Sequence, residues 1–413
     1  MAEGAKIVER KPLEAFRTMA MKCVRCRMCG MTNPEKLKSH RFSDNCPSGT
    51  RFGFEAYFAS GRHEIIRALL QDPPEIPITE KLVHIAFTCT LCGNCFAICN
   101  PTKGLEPVSA IMALREFLVK KGYGPPREQQ ALIKSIENYD NPWMKPRTER
   151  DRWVRKMGVA VKELPKEKAE VLYFVGCTGS FDPTYRSVSE ATVKLLSLMG
   201  IDFGILGKNE VCCGSTIMRI GDIVAFEKQK RKALEVLNSL GVEVIVTACA
   251  GCYSTFLHSY EEELKPRVVH IIEFIYGTLK DKGLPFKREI NKKVTYHDPC
   301  HVGRYAGIYD PPREVLKAIP GVEFVEMERI REWSFCCGAG GGVRTAYPDF
   351  AQWVARKRIE EAMATGAEIL ASVCPFCELN LSPAAESLGG RIKVMDVEDL
   401  LISSMEVQDE NKN

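Results

Sequence analysis

Two pairs of adjacent cysteines, Cys212-Cys213 and Cys336-Cys337, each stand directly before a glycine. Neighbouring cysteines form a disulfide only by distorting the peptide between them. They also fit poorly as two ligands of one tetrahedral ion. They are well placed to bind two adjacent irons of one cluster. The doublets belong to two sets of five: Cys177, Cys212, Cys213, Cys249 and Cys252, then Cys300, Cys336, Cys337, Cys374 and Cys377. A cubane takes four thiolates, so a fifth implies a bridged or opened cluster.

The other eight cysteines lie before residue 100. Cys23, Cys26 and Cys29 form C-x2-C-x2-C, with Cys46-Pro47 following. Cys89, Cys92, Cys95 and Cys99 form C-x2-C-x2-C-x3-C before Asn100-Pro101. This resembles the pattern of two-cluster bacterial ferredoxins, in which each triplet holds one cubane and the remote cysteine crosses to the other. The resemblance assigns Cys23, Cys26, Cys29 and Cys99 to one cubane 4Fe-4S cluster and Cys89, Cys92, Cys95 and Cys46 to a second. The gap before Cys46 is longer than in the compact pattern. Zinc competes for C-x2-C pairs, but triplets with a proline-flanked fourth cysteine fit iron–sulfur better.

The full pattern, C-x34-CCG-x34-C-x2-C followed by C-x35-CCG-x35-C-x2-C, resembles the CCG-domain proteins, typified by the catalytic subunit of heterodisulfide reductase. The order of a ferredoxin region and two CCG units resembles the fused HdrD type. That resemblance implies a non-cubane 4Fe-4S cluster on the five cysteines of each unit, the two clusters facing one another. A disulfide would be cleaved between them, one sulfur going to each, with no protein cysteine acting as nucleophile. It also implies partner redox subunits bearing flavin or haem, or HdrA- or HdrE-like, and a small thiol or disulfide substrate. The chain itself shows no flavin or haem motif. A second reading is an electron relay, as in subunits of glycolate, lactate or glycerol-3-phosphate oxidising complexes, sulfite-reduction membrane complexes, or BamD-like subunits of class II benzoyl-CoA reductases. A third is a zinc-rich module for nucleic acid.

Other polar residues are weighed against these sets. His297, Asp298 and His301 flank Cys300. They are candidates for proton donation to a leaving thiolate or for supporting a cluster from behind its ligands; His297 and His301 are the catalytic candidates. Arg304 and Arg344 are candidates for an anionic substrate tail. His63, His84 and His258 read as packed or exposed rather than ligating. The glycines of "GAGGG" at 338–342 lack dinucleotide-loop spacing and read as letting the backbone approach the cluster.

The elements that must carry the two CCG sets repeat. "AEVLYFVGC" ending at Cys177 matches "KKVTYHDPC" ending at Cys300, and "GVEVIVTACAGC" matches "GAEILASVCPFC". "GIDF" matches "GVEF", and "VVHIIEFI" matches "IKVMDVEDLL". The steady offsets of 123 to 125 residues mark a duplicated unit. "VLYFV", "VEVIV", "KVTYH" and "EILAS" read as short strands, and "SEATVKLLSLMG" and "FEKQKRKALEVLNSLG" as amphipathic helices stopped by glycine. Alternating strand and helix predicts α/β units with mostly parallel sheets. Cys177, Cys249, Cys300 and Cys374 follow strands, so they gather on the rim where such sheets bind ligands. The expected organisation is a mainly helical two-cluster domain over 1–140, a charged linker over 141–167, CCG units over 168–287 and 288–405, and a tail over 406–413.

Composition agrees with a globular redox protein. No apolar run reaches membrane-span length, and the N-terminus lacks a signal-peptide core. The expected location is cytoplasmic, with membrane contact only through a partner. Residues 1–163 hold 27 Lys/Arg against 18 Asp/Glu, and the remainder 30 against 35. The basic first part reads as offsetting anionic clusters or meeting an acidic partner, rather than as a nucleic-acid surface.

Overall fold

The computed structural model describes residues 7–405. The first part is helical, with Ala59–Leu69, Glu80–Phe87, Asn94–Lys103, Pro107–Lys120 and Arg127–Tyr139 as its longer helices. Pro107–Lys120 shows why. Proline occupies its first turn, where a missing N–H costs nothing, and Gly122 follows its end at φ +82°. Its apolar stripe, including Ile111, Leu114 and Leu118, is buried against neighbouring helices.

The cysteine-doublet units follow as two parallel sheets. β1 (Lys162–Glu163), β2 (Val171–Tyr173), β3 (Phe203–Ile205), β4 (Val244–Thr247) and β5 (Arg267–His270) form the first, ordered β1-β3-β2-β4-β5. β6 (Lys292–Tyr296), β7 (Val322–Phe324), β8 (Ile369–Ser372) and β9 (Lys393–Asp396) form the second, ordered β7-β6-β8-β9. The register repeats as well. Leu172 faces Ile245 in the first sheet, as Thr295 faces Leu370 in the second. The central strands are near-continuous apolar runs because helices cover both faces.

The two units share one core, in which Tyr173, Leu196 and Val246 join Tyr296, Leu370 and Leu401. Helix Arg186–Leu198 of the first unit packs on Val397–Met405 of the second. Ser187 Oγ donates to Asp399 Oδ2 at 3.1 Å, and Tyr185 Oη to the Glu378 carbonyl at 3.1 Å.

The segment 141–167, whose charge reads as linker, is packed rather than loose. It carries the short turns Arg147–Glu149 and Val154–Lys156, buries Trp153, and adds β1 to the edge of the first sheet. Its alternating charges conceal both the tryptophan anchor and a buried arginine described below.

Candidate metal centres and redox cavity

None of the 18 cysteines forms a disulfide. In both units the strands end two or four residues before a cysteine: β2 before Cys177, β4 before Cys249, β6 before Cys300 and β8 before Cys374. The doublets arrive from the loops after β3 and β7. Gly214 and Gly338 turn them with φ of +76° and +91°, and each donates its N–H to the first thiol of its doublet, Cys212 at 3.4 Å and Cys336 at 3.3 Å. A side chain at Gly338 would press on the Ala351 carbonyl at 2.7 Å. The glycine of the motif is therefore required by geometry. Gln229 and Asn380 clamp the carbonyls of Cys212 and Cys337 at 2.9 and 2.7 Å.

Nine of these ten cysteines line one cavity of about 270 Å³ between the units. The tenth, Cys336, points toward the helical region instead. Within the first unit Cys213 and Cys252 approach to 3.3 Å. The thiols hold one another's protons. The neighbouring thiols of Cys212, then Cys252, bring Cys213 down to about 6, and that of Cys252 brings Cys249 to about 7. Cys336 and Cys377 likewise hold Cys337 well below the ordinary thiol range. Such groups are poised to deprotonate and bind metal.

Two buried cations support the rims. Arg150, from the packed connection, donates Nη2 to Cys177 Sγ at 3.4 Å and pairs with Glu210. Glu210 accepts the backbone N–H groups of Val175 and Gly176 at 2.9 and 3.0 Å. In the second unit His297 stands against Cys337, and its Nδ1 accepts from Arg358 Nε at 3.1 Å. Ligand atoms of His297, Cys337 and Cys377 lie within 4.8 Å of one another. His297 is not among the cavity's lining residues, whereas His301 is. Burial and the neighbouring Arg219 hold His301 well below its ordinary range, and Arg219 Nε approaches its Nε2 at 3.3 Å.

Arg344 lines the cavity half-exposed, but Arg304 does not reach it. Arg304 bonds the carbonyls of Glu332, Cys92 and Ser334. Asp298 is buried in an ion pair with Arg313. His84 meets Tyr57 Oη at 2.9 Å and His258 the Tyr305 carbonyl at 2.9 Å. His63 is buried beside the first triplet, and burial lowers it to about 4. Sequence reasoning missed Arg150, Glu210 and Arg219, which no motif marks. It also missed Leu132, Pro142 and Trp143, which wall the cavity from the helical side.

The eight earlier cysteines surround two small voids of about 20 Å³ each. Cys23, Cys26, Cys29 and Cys99 line one; Cys46, Cys89, Cys92 and Cys95 line the other, where Cys29 also reaches. Arg62 lies at the second void and is buried against the carbonyls of Tyr57 and Ile85. Burial pushes Cys46 and Cys99 up to about 12.

This region is fastened to both CCG units. Arg115, fully buried, donates to the carbonyls of Ala86, Cys89, Arg219 and Gly341. Added Cβ atoms at Gly340 and Gly341 would meet the carbonyls of Thr90 and Cys89 at 2.7 Å. The glycine run thus serves close backbone approach, between the second triplet's loop and the second doublet's loop. At that joint Cys336 packs beside Cys92, whose thiol its neighbour brings down to about 5 against the effect of burial.

The cysteine-rich domain family CCG matches residues 171–257 and 294–382. The HdrD subunit of the dihydromethanophenazine:CoB–CoM heterodisulfide reductase of Methanosarcina mazei is 37% identical over 98% of this chain and 99% of its own. The chain belongs to the HdrD family of heterodisulfide reductase subunits. The Methanosarcina acetivorans HdrD is 36% identical, over 96% of this chain and 97% of its own. A probable iron-sulfur-binding oxidoreductase, FadF of Bacillus subtilis, is 35% identical over 84% of this chain and 50% of its own. The protein is accordingly an iron–sulfur oxidoreductase subunit of heterodisulfide reductase type. Among the described residues no helix is long and apolar enough to cross a membrane.

Proposed function

We propose that this subunit reduces a disulfide, or oxidises the corresponding thiols, in the cavity between its two CCG units. The observation that carries this reading is the convergence of nine of the ten CCG cysteines on one cavity. Cys177, Cys212, Cys213, Cys249 and Cys252 would hold one non-cubane 4Fe-4S cluster, and Cys300, Cys336, Cys337, Cys374 and Cys377 the other. Cys23, Cys26, Cys29 and Cys99, then Cys46, Cys89, Cys92 and Cys95, would hold two cubanes. The donor sets fit this assignment. They are soft thiols, grouped in fours around the small voids, with five of the first unit and four of the second along the large one.

When bound, the clusters supply one-electron storage, which a disulfide needs twice over because its reduction takes two electrons and two protons. The chain's own residues shape the site. Leu132, Trp143 and Phe376 give the cavity apolar walls, while Arg344 offers a cation to an anionic substrate. Arg219 and His301 place a guanidinium and a neutral imidazole beside Cys300. By analogy with its relatives, the substrate class is a mixed disulfide of small thiols such as CoM and CoB, and the subunit works in a complex whose other members carry flavin or haem.

The test is viologen-driven reduction of the CoM–CoB heterodisulfide by anaerobically purified, iron-loaded protein. Turnover in the wild type and its loss in both Cys213→Ser and Cys337→Ser is the expected result. Serine is a harder ligand that matches iron poorly in place of thiolate. Iron-loaded wild type that takes electrons from viologen yet turns over no disulfide would make the subunit a relay instead.

A further inference from the structure

The surface around the first cysteine triplet combines features not used above. Of the twelve exposed large hydrophobic residues among the described residues, Met21, Val24, Met28, Met31 and Phe54 fall within 34 positions of sequence, and they are between 43% and 74% exposed. Cys26 is exposed among them. Met28 and Met31 continue into a groove of about 710 Å³, whose far wall is Tyr309 and Trp333 of the second unit. The Trp333 indole Nε1 has no hydrogen-bond partner.

One edge of this patch is basic, while Glu332 lines the groove and Glu328 accepts from Ser39. Residues 21–41 hold six Lys/Arg against the single acid Glu35. Arg25 pairs with Glu64 and Arg27 approaches Glu55 at 3.7 Å. Lys36, Lys38 and Arg41 are exposed and have no carboxylate paired to them among the described residues. An apolar centre with a charged rim is the anatomy of a protein interface, and adaptable methionines suit contacts that form and release.

We infer that this face docks an acidic one-electron carrier protein, whose apolar centre covers Met28 and Met31 and whose carboxylates meet Lys36, Lys38 and Arg41. The inference rests on the iron–sulfur reading above. The carrier's reduced centre loses one electron, and the centre held by Cys23, Cys26, Cys29 and Cys99 gains it. A lipid surface would also accept apolar and basic side chains. It carries no electrons, however, and the patch encloses an exposed cysteine of the triplet. Complementary charge would raise the encounter rate and make it fall with salt.

The probe is an acidic ferredoxin, with reduced methyl viologen as a small donor that needs no docking face. Two variants of the full, iron-loaded chain are compared with wild type: Met28→Gln with Met31→Gln, and Lys36→Glu with Lys38→Glu and Arg41→Glu. Both should weaken ferredoxin binding at least tenfold at low salt and slow cluster reduction by reduced ferredoxin to match. Reduction by viologen should stay within twofold of wild type. Unchanged ferredoxin binding in both variants would overturn the inference, as would a wild type that binds no ferredoxin. Loss of sedimentation with phosphatidylglycerol vesicles, with ferredoxin binding intact, would overturn it in favour of a membrane-facing patch. Failure of viologen to reduce the wild type would count against the iron–sulfur reading alone, because the binding constants still judge the surface.

Discussion

Cys92 of the second triplet and Cys336 of the second doublet pack in one buried cluster, and the neighbouring Cys336 thiol holds Cys92 down to about 5. No thiol of the first CCG unit has an equivalent contact with the triplets among the described residues. Cys300 packs against the same cluster and Cys337 adjoins it in sequence, so Cys336 joins the Cys46, Cys89, Cys92 and Cys95 group to the second unit. Electrons arriving through the helical region should therefore reach the second unit first.

That order is measurable by rapid freeze-quench spectroscopy after mixing with a reductant. Cys336→Ser should slow reduction of the first unit at least tenfold. Cys212→Ser should leave reduction of the second unit at the wild-type rate. Equal slowing by both substitutions would mean that the two units are fed independently.

Arg150 and Glu210 are both about 1% exposed and paired beneath Cys177. Removing one partner of such a pair leaves a buried charge alone, at a cost of about 3–5 kcal/mol. Arg150→Met should lower denaturant stability by that order. The double variant Arg150→Met with Glu210→Leu should recover much of the loss, since neither charge then remains. Equal losses in the single and double variants would show that Glu210 does not need Arg150. Chemical denaturation under anaerobic conditions provides the comparison.

Asp396, at the end of β9, is fully buried, and burial raises it to about 8. Its carboxyl lies beside that of Glu378, which is raised as well, mainly by burial and by the Asp396 charge. A carboxyl raised in the folded state binds its proton more tightly there than when unfolded. Its stabilisation is complete below about pH 4 and is lost as pH rises through about 8. Across that window the slope for one such group approaches about 1.4 kcal/mol per pH unit. Asp396→Asn should remove this contribution and leave the variant more stable than wild type at pH 8. Parallel stability–pH curves for the two proteins would contradict the assignment.

Most of the candidate site was legible because cysteine spacing carries its own chemistry. The repeat placed Cys177, Cys249, Cys300 and Cys374 after strands, and the structure puts these strands in two sheets of like order. The grouping of Cys99 with the first triplet, and of Cys46 with the second, also follows from the ferredoxin-like pattern. What escaped the sequence depends on contacts between distant segments. Arg150 looks like one charge among many in a linker, yet it lies against Cys177. The glycines at 340 and 341 read as letting the backbone approach a cluster, whereas the fold sets them against the backbone of Thr90 and Cys89. Arg304 has the exposed look of an anion binder in sequence and is instead buried on three carbonyls. Periodicity and motif spacing carry no information about such partners.

The central claim is that the two sets of five thiols each hold a four-iron cluster in addition to the two held near the N-terminus. Iron and acid-labile sulfide, measured per chain after strictly anaerobic purification, test it most directly. Four 4Fe-4S clusters predict about 16 iron with a similar amount of sulfide, and the protein should be brown. Cys213→Ser and Cys337→Ser should each lose about four iron, while the low-temperature paramagnetic signal of the reduced N-terminal clusters persists. About eight iron with stoichiometric zinc in the wild type, or full iron retained in both variants, would contradict the account.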